Sequence, residues 1–301
     1  MAKKYLLLTV IILFGAWPNV RGAVTAVAVG GSMYRFHDSS ILHYSGSYSG
    51  IVQRGKLAEN NTVTIGQNTV VFAKDTDLEF YIPGKIALGY LSADTLCRAG
   101  SRKFLFRKGS RIDFYESGNV SKGYLARDCT MMVGGKRFRF KKGTEEIEDI
   151  ELYKTGGIKS APLSGTCTVR IGGNSMTLHH IIGFYKNGSI GWGFLNAESP
   201  VIAGGRTIRC TGGPYHQITF HNNGNVRECV LAGPQRLMAG GREIIFESRI
   251  MFSPDGKIIR GTLGEGTGFQ GRNYTRYTTV ILGYNSRGQL TDMKRFRHPR
   301  R

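Results

Sequence analysis

A glycine returns along this chain every 32 to 38 residues, and the same apolar residues surround it each time. The glycines are Gly50, Gly84, Gly118, Gly156, Gly188, Gly224, Gly256 and Gly288. From Gly84 onward a large apolar residue stands four positions before: Phe80, Phe114, Leu152, Phe184, Phe220, Phe252 and Tyr284. An aliphatic residue stands two after, from Ile86 to Leu290, and leucine recurs seven after, from Leu91 to Leu263. A period of this length marks one supersecondary unit repeated in tandem, each copy burying its apolar face against its neighbours.

Within a unit the pattern reads as four short strands. Apolar residues six and four before the glycine, as in Ile112-Asp113-Phe114, alternate with period two, which marks a half-buried strand. Turns such as Lys186-Asn187-Gly188-Ser189 and Pro254-Asp255-Gly256-Lys257 carry Asn-Gly and Asp-Gly, which supply positive φ at little cost, so a hairpin is expected there. The second strand holds its inward residues two, five and seven past the glycine. That parity changes once, so a bulge between the first two is expected. A second hairpin centres on Gly-Gly, at Gly134-Gly135, Gly172-Gly173, Gly204-Gly205 and Gly240-Gly241, sixteen and seventeen residues past the turn glycine.

The same spacing reaches both ends. Val27, Val29, Gly30-Gly31, Tyr34 and Phe36 match a second hairpin without its first, and Leu282, Tyr284, Gly288 and Leu290 match a first without its second. The fold expected is all-β, an array of about seven units with four short strands each, over residues 23–293. One apolar face per strand favours an open or solenoid-like rolled sheet. The complementary halves leave a closed β-propeller, one blade completed from both termini, as the alternative.

Lys3 and Lys4 precede an apolar run from Tyr5 to Ala16, and Val20-Arg21-Gly22 offers small or aliphatic residues where a signal peptidase reads, so residues 1–22 read as a signal peptide. The run is short for a bilayer span. An exported protein, periplasmic or extracellular and without a transmembrane segment after cleavage, is therefore expected. Removing Lys3, Lys4 and Arg21 from the 41 basic residues leaves 38 against 21 acidic ones, a formal charge near +17. That charge favours anionic partners: an anionic glycan, an envelope component or an acidic protein, with nucleic acid behind them. Residues 294–301, Lys-Arg-Phe-Arg-His-Pro-Arg-Arg, form a basic tail. Five cysteines cannot all pair internally. Cys97 takes an inward position, Cys129 and Cys167 lie eleven past successive turn glycines, and Cys229 replaces a residue that is glycine in most units. A Cys210–Cys229 disulfide, closing a short loop, is the first pairing expected.

The stretch Phe114-Tyr115-Glu116-Ser117-Gly118-Asn119-Val120-Ser121-Lys122-Gly123-Tyr124-Leu125 resembles the hairpin unit of MORN-type repeat proteins, and Phe184 through Gly193 resembles it equally well. Through Trp192-Gly193 the chain is also similar to the tryptophan-glycine repeats of bacterial envelope proteins. The likeness covers the first hairpin of each unit, and the Gly-Gly hairpin departs from it. Such families imply a scaffolding or binding role rather than a reaction.

No nucleophile elbow, phosphate-binding loop, paired-histidine metal motif or EF-hand pattern is present, and no catalytic residue, metal or cofactor is assigned. Asp94, Asp128 and Glu198 each lie ten past a turn glycine and read as turn formers. A carboxylate pair suited to glycoside hydrolysis is the enzymatic alternative. His179-His180, His216 and His221 read as surface histidines, and Glu145-Glu146-Ile147-Glu148-Asp149 as an insertion. The binding candidates lie on outward positions. Tyr81, Tyr115, Tyr153 and Tyr185 stand three before the turn glycine, Tyr124 six after it, and Arg107, Lys108, Arg139 and Lys141 close to or within the fourth strand. Aromatic rings beside cations suit anionic sugars. The function expected is a non-enzymatic repeat protein of the cell envelope, binding or scaffolding through a basic, tyrosine-rich face. A secreted polysaccharide-acting enzyme and a purely structural spacer are the alternatives.

Overall fold

The computed structural model describes residues 23–144 and 149–296. The expected signal peptide, residues 145–148 of the acidic stretch and residues 297–301 of the tail lie outside the described residues. Among those described there is no α-helix, only two short 3-10 turns, Asp38–Ser40 and Gly46–Tyr48. Among the described residues no helix is long and apolar enough to cross a membrane. The chain divides into two compact parts. Of the described residues, 23–126 with the tip Lys154–Gly156 form one; those from Arg127 to Tyr153 and from Gly157 to Phe296 form the other.

In the first part, Leu42–His43, Val52–Lys56, Asp77–Phe80, Ile86–Tyr90, Arg111–Phe114 and Val120–Gly123 follow one another as an antiparallel ladder. In the second, Ile150–Leu152, Ile158–Pro162, Asn174–Phe184, Ile190–Leu195, Gln217–Phe220, Val226–Val230, Arg242–Phe252, Ile258–Leu263, Thr279–Tyr284 and Leu290–Arg295 do the same. Among the described residues Leu42–His43 pairs only with Val52–Lys56, and Leu290–Arg295 only with Thr279–Tyr284. The array is therefore open, and the closed propeller is set aside. Its last strand runs through Arg295, two residues past the expected end of the array.

The expected bulge is present in hairpin after hairpin. Phe114 faces Val120 while Asp113 faces Lys122, so Ser121 is the extra residue. The same shift falls before Phe80, Leu152, Phe184, Phe220, Phe252 and Tyr284. It lets the apolar residues on both sides of each turn face inward. Ile112, Phe114 and Val120 are fully buried, as are Phe220 and Phe252.

The Gly-Gly hairpins are separate two-stranded pairs, such as Thr95–Ala99 with Arg102–Phe106 and Cys129–Val133 with Lys136–Phe140. In two units the fourth strand instead runs on into the next first strand, as Asn174–Phe184 and Arg242–Phe252. Each second hairpin is tied forward twice. Its last apolar residue bridges the leucine of the following unit: Phe36 to Leu57, Phe72 to Leu91, Phe106 to Leu125, Phe140 to Leu163, Leu178 to Leu195, Cys210 to Leu231 and Phe246 to Leu263. Its Gly-Gly turn lies on the turn glycine two units ahead, so Gly134 meets Gly188 and Gly172 meets Gly224. Ring contacts follow the same step: Phe72 to Phe114 at 6.4 Å and Phe138 to Phe184 at 5.1 Å, both edge to face.

Two glycine positions are thereby explained by space. Gly188 has φ 84°, and a Cβ there would come within 2.8 Å of the Gly134 nitrogen. Gly123 lies under a phenylalanine of the preceding unit, and a Cβ there would stand 2.7 Å from the Phe106 ring.

Candidate functional site

Within each part, outward tyrosines hydrogen-bond from one repeat to the next. The Tyr81 hydroxyl donates to the Phe114 carbonyl at 2.8 Å, Tyr153 to Phe184 at 2.7 Å and Tyr185 to Phe220 at 2.6 Å. Tyr44 reaches the Phe80 carbonyl at 2.5 Å, and His221, in the tyrosine position of its unit, places Nε2 2.9 Å from the Phe252 carbonyl. Burial, and behind it the charges of Asp113 and Glu116, hold the Tyr81 phenol above its ordinary range. These hydroxyls are engaged in joining units. Tyr115 occupies the same place and, with Lys85 and Glu116, lines a cleft of about 230 Å³ in the first part.

The carboxylates are engaged locally as well. Asn60, Asp94 and Asp128 stand ten past successive turn glycines, and each accepts a backbone N–H fourteen residues on, from Lys74, Lys108 and Lys142 at 2.7–2.8 Å. Asp128 also accepts the Ser164 hydroxyl at 2.5 Å and lies 3.3 Å from the Arg139 guanidinium. The Ser164 hydroxyl, then the Lys142 N–H, hold its carboxyl below the usual range. Glu198 pairs with Arg209. Among the described residues no three His, Cys, Asp or Glu side chains stand together to hold a metal.

Of the cations expected to bind, Arg107 in the first part and Lys141 in the second occupy the same repeat position. Residues 23 past a turn glycine donate their N–H to residues six past the next, so Arg107 joins Tyr124 at 2.8 Å and Lys141 joins Pro162 at 2.9 Å. In the first part this sets the Arg107 guanidinium 5.9 Å from the Tyr124 ring centroid, a cation–π contact. Lys108 is exposed one residue further on.

The second part has a cavity of about 410 Å³ whose lining includes Lys141, Pro162, His179, His180, Asn196 and Pro214. Local folding explains the placement of the histidines. The ladder between Asn174–Phe184 and Ile190–Leu195 skips from His179–Phe194 to Ile182–Gly193, leaving His180 and Ile181 unpaired in the ladder. His180 takes φ 66°, and its carbonyl accepts the Leu163 N–H at 2.7 Å. Its ring lies 6.2 Å from that of His179 and 5.7 Å from Phe194, which in turn meets Trp192 edge to face at 5.9 Å. His179 Nε2 is buried without a hydrogen-bond partner, an arrangement that is rare for a buried polar atom.

His180 is exposed and His179 half-buried, in keeping with surface histidines, and both share a cavity lining with Lys141. The repeat spacing itself was the missed signal, because His179 is 23 past Gly156, the position that holds Lys141 past Gly118 and Arg107 past Gly84. Cys210 and Cys229 are both buried, with sulfurs 2.9 Å apart as thiols, and that contact together with burial pushes the Cys229 thiol well up. Burial alone raises the Cys97 thiol to about 12. No protein-family model matches this chain, and no curated protein matches it.

Proposed function

We propose that this is an exported, non-enzymatic repeat protein of a cell envelope that binds an anionic glycan or acidic protein through cation- and aromatic-bearing positions of its repeats. The observation that carries this reading is the composition of those positions. Arg107 lies over Tyr124 in the first part; in the second, Lys141, His179 and His180 are on one cavity lining and His180 stands beside Phe194. Cations next to ring faces attract anionic, partly apolar groups, sugar acids among them. The engagement of Asp94, Asp128 and Glu198 in turns and an ion pair favours binding over glycoside chemistry, which needs a free carboxylate pair.

A structural spacer is the second reading, and the outward tyrosines favour it, because their hydroxyls stiffen the joints between units. A glycan array probed at low and physiological salt separates the two. The binding reading expects retention of acidic over neutral glycans that weakens as salt screens the charges, and a further loss with Arg107→Glu or Lys141→Glu. Equal retention of neutral and acidic glycans, or none at either salt, rejects it in favour of the spacer.

A further inference from the structure

We infer that the cavity under His179 is a seat for a single anionic sugar residue, one bearing a carboxylate or a phosphate. The inference deepens the binding reading above and rests on it. Four observations converge. The cavity, at about 410 Å³, has room for a hexose with its acidic group. His179, whose Nε2 has no hydrogen-bond partner in the protein, is on the lining together with His180. The lysine of the preceding unit, Lys141, supplies positive charge on the same lining, with the Asn196 amide as an additional polar group. Pro162 and Pro214 offer apolar surface to the C–H face of a sugar ring.

The backbone corner at His180 belongs to the repeat. His180 is held at φ 66° and Ser248, at the same spacing from its turn glycine, at φ 63°, and each carbonyl accepts the N–H of the leucine seven past that glycine, Leu163 and Leu231. What differs is the side chain, because the ring of His180 lies against Phe194 and His180 is on the cavity lining.

The test is a titration of the whole protein with glucuronic acid, glucose 6-phosphate, glucose and inorganic phosphate, read from the imidazole NMR signals of His179 and His180. Saturable movement of both signals by glucuronic acid or glucose 6-phosphate is expected, with glucose and inorganic phosphate about tenfold weaker or silent. The stronger of the two acidic sugars identifies the anionic group. Lys141→Met should weaken binding about tenfold. His180→Gly should weaken it as much while leaving the melting temperature unchanged or higher, since glycine relieves the left-handed backbone.

Inorganic phosphate binding as tightly as the sugars would overturn the inference, as would ring signals that neither acidic sugar moves or binding indifferent to both substitutions. If an acidic polysaccharide binds but responds to Arg107→Glu and not to Lys141→Met, the seat is wrong while the broader reading stands. If no acidic polysaccharide binds, the broader reading falls with it.

Discussion

Gly134 and Gly135 sit side by side in one turn and do different things. Both have positive φ, 54° and 74°, but a Cβ on Gly135 would meet nothing, whereas one on Gly134 would run into the Gly188 carbonyl. Gly188 carries both constraints, a φ of 84° and backbone against its face. Gly188→Ala is therefore expected to destabilise the protein by about 3 kcal/mol or more, combining left-handed strain with a displaced neighbour. Gly135→Ala should cost about 1 kcal/mol, the backbone preference alone. Denaturant midpoints of the two variants check the difference, and equal losses would mean that the approach of the two turns does not constrain the fold. The turn glycine and its hairpin were legible in the sequence, because Asn187-Gly188 carries its turn chemistry locally. The second constraint was not, because Gly134 is two units away and nothing in either hairpin names the other.

Hairpins join through a large side chain lying over a small one. Phe36 covers Gly55, Phe72 covers Gly89, Phe106 covers Gly123 and Phe246 covers Gly261. Where the covering residue shrinks to Cys210, the covered one grows to Cys229, and both remain buried. The pair conserves volume, as a close-packed interior demands. Cys210→Phe alone should overpack this joint under reducing conditions and cost about 1–3 kcal/mol. Adding Cys229→Gly should restore most of that stability, and a double variant no better than the single one would contradict the packing account. With sulfurs 2.9 Å apart, the same pair is expected to close as a disulfide when an exported thiol oxidase or oxidised glutathione accepts the two electrons and two protons. A nonreducing peptide map should then join Cys210 to Cys229 and leave Cys97 free. At this scale the sequence carried much of the answer. The parity change around Val120 required the bulge. The sequence did not reveal that Asp128 would be drawn to the Lys142 N–H and the Ser164 hydroxyl, because those bonds depend on how the linkers turn.

Across the molecule the repeat gives its positions different work. Residues three before the turn glycine, Tyr81, Tyr153, Tyr185 and His221, hydrogen-bond unit to unit. Of the residues 23 past it, Arg107 in the first part meets the Tyr124 ring, and Lys141 and His179 in the second line one cavity. The repeat spacing placed the tyrosines outward, yet outward position alone could not say which of them bond to the next unit. That depends on whether a hydroxyl meets a carbonyl of the next unit, which only the stacked array shows. The central proposal is that the cation-bearing positions bind and the tyrosines hold. Its most direct test measures unfolding and acidic-glycan affinity together on two pairs of variants. Tyr153→Phe and Tyr185→Phe should each lose about 1 kcal/mol of stability, the worth of one hydrogen bond, with affinity unchanged. Lys141→Met and His180→Gly should lose about tenfold in affinity with stability kept. The reverse assignment, tyrosine variants that bind poorly and cavity variants that bind normally, would contradict the account.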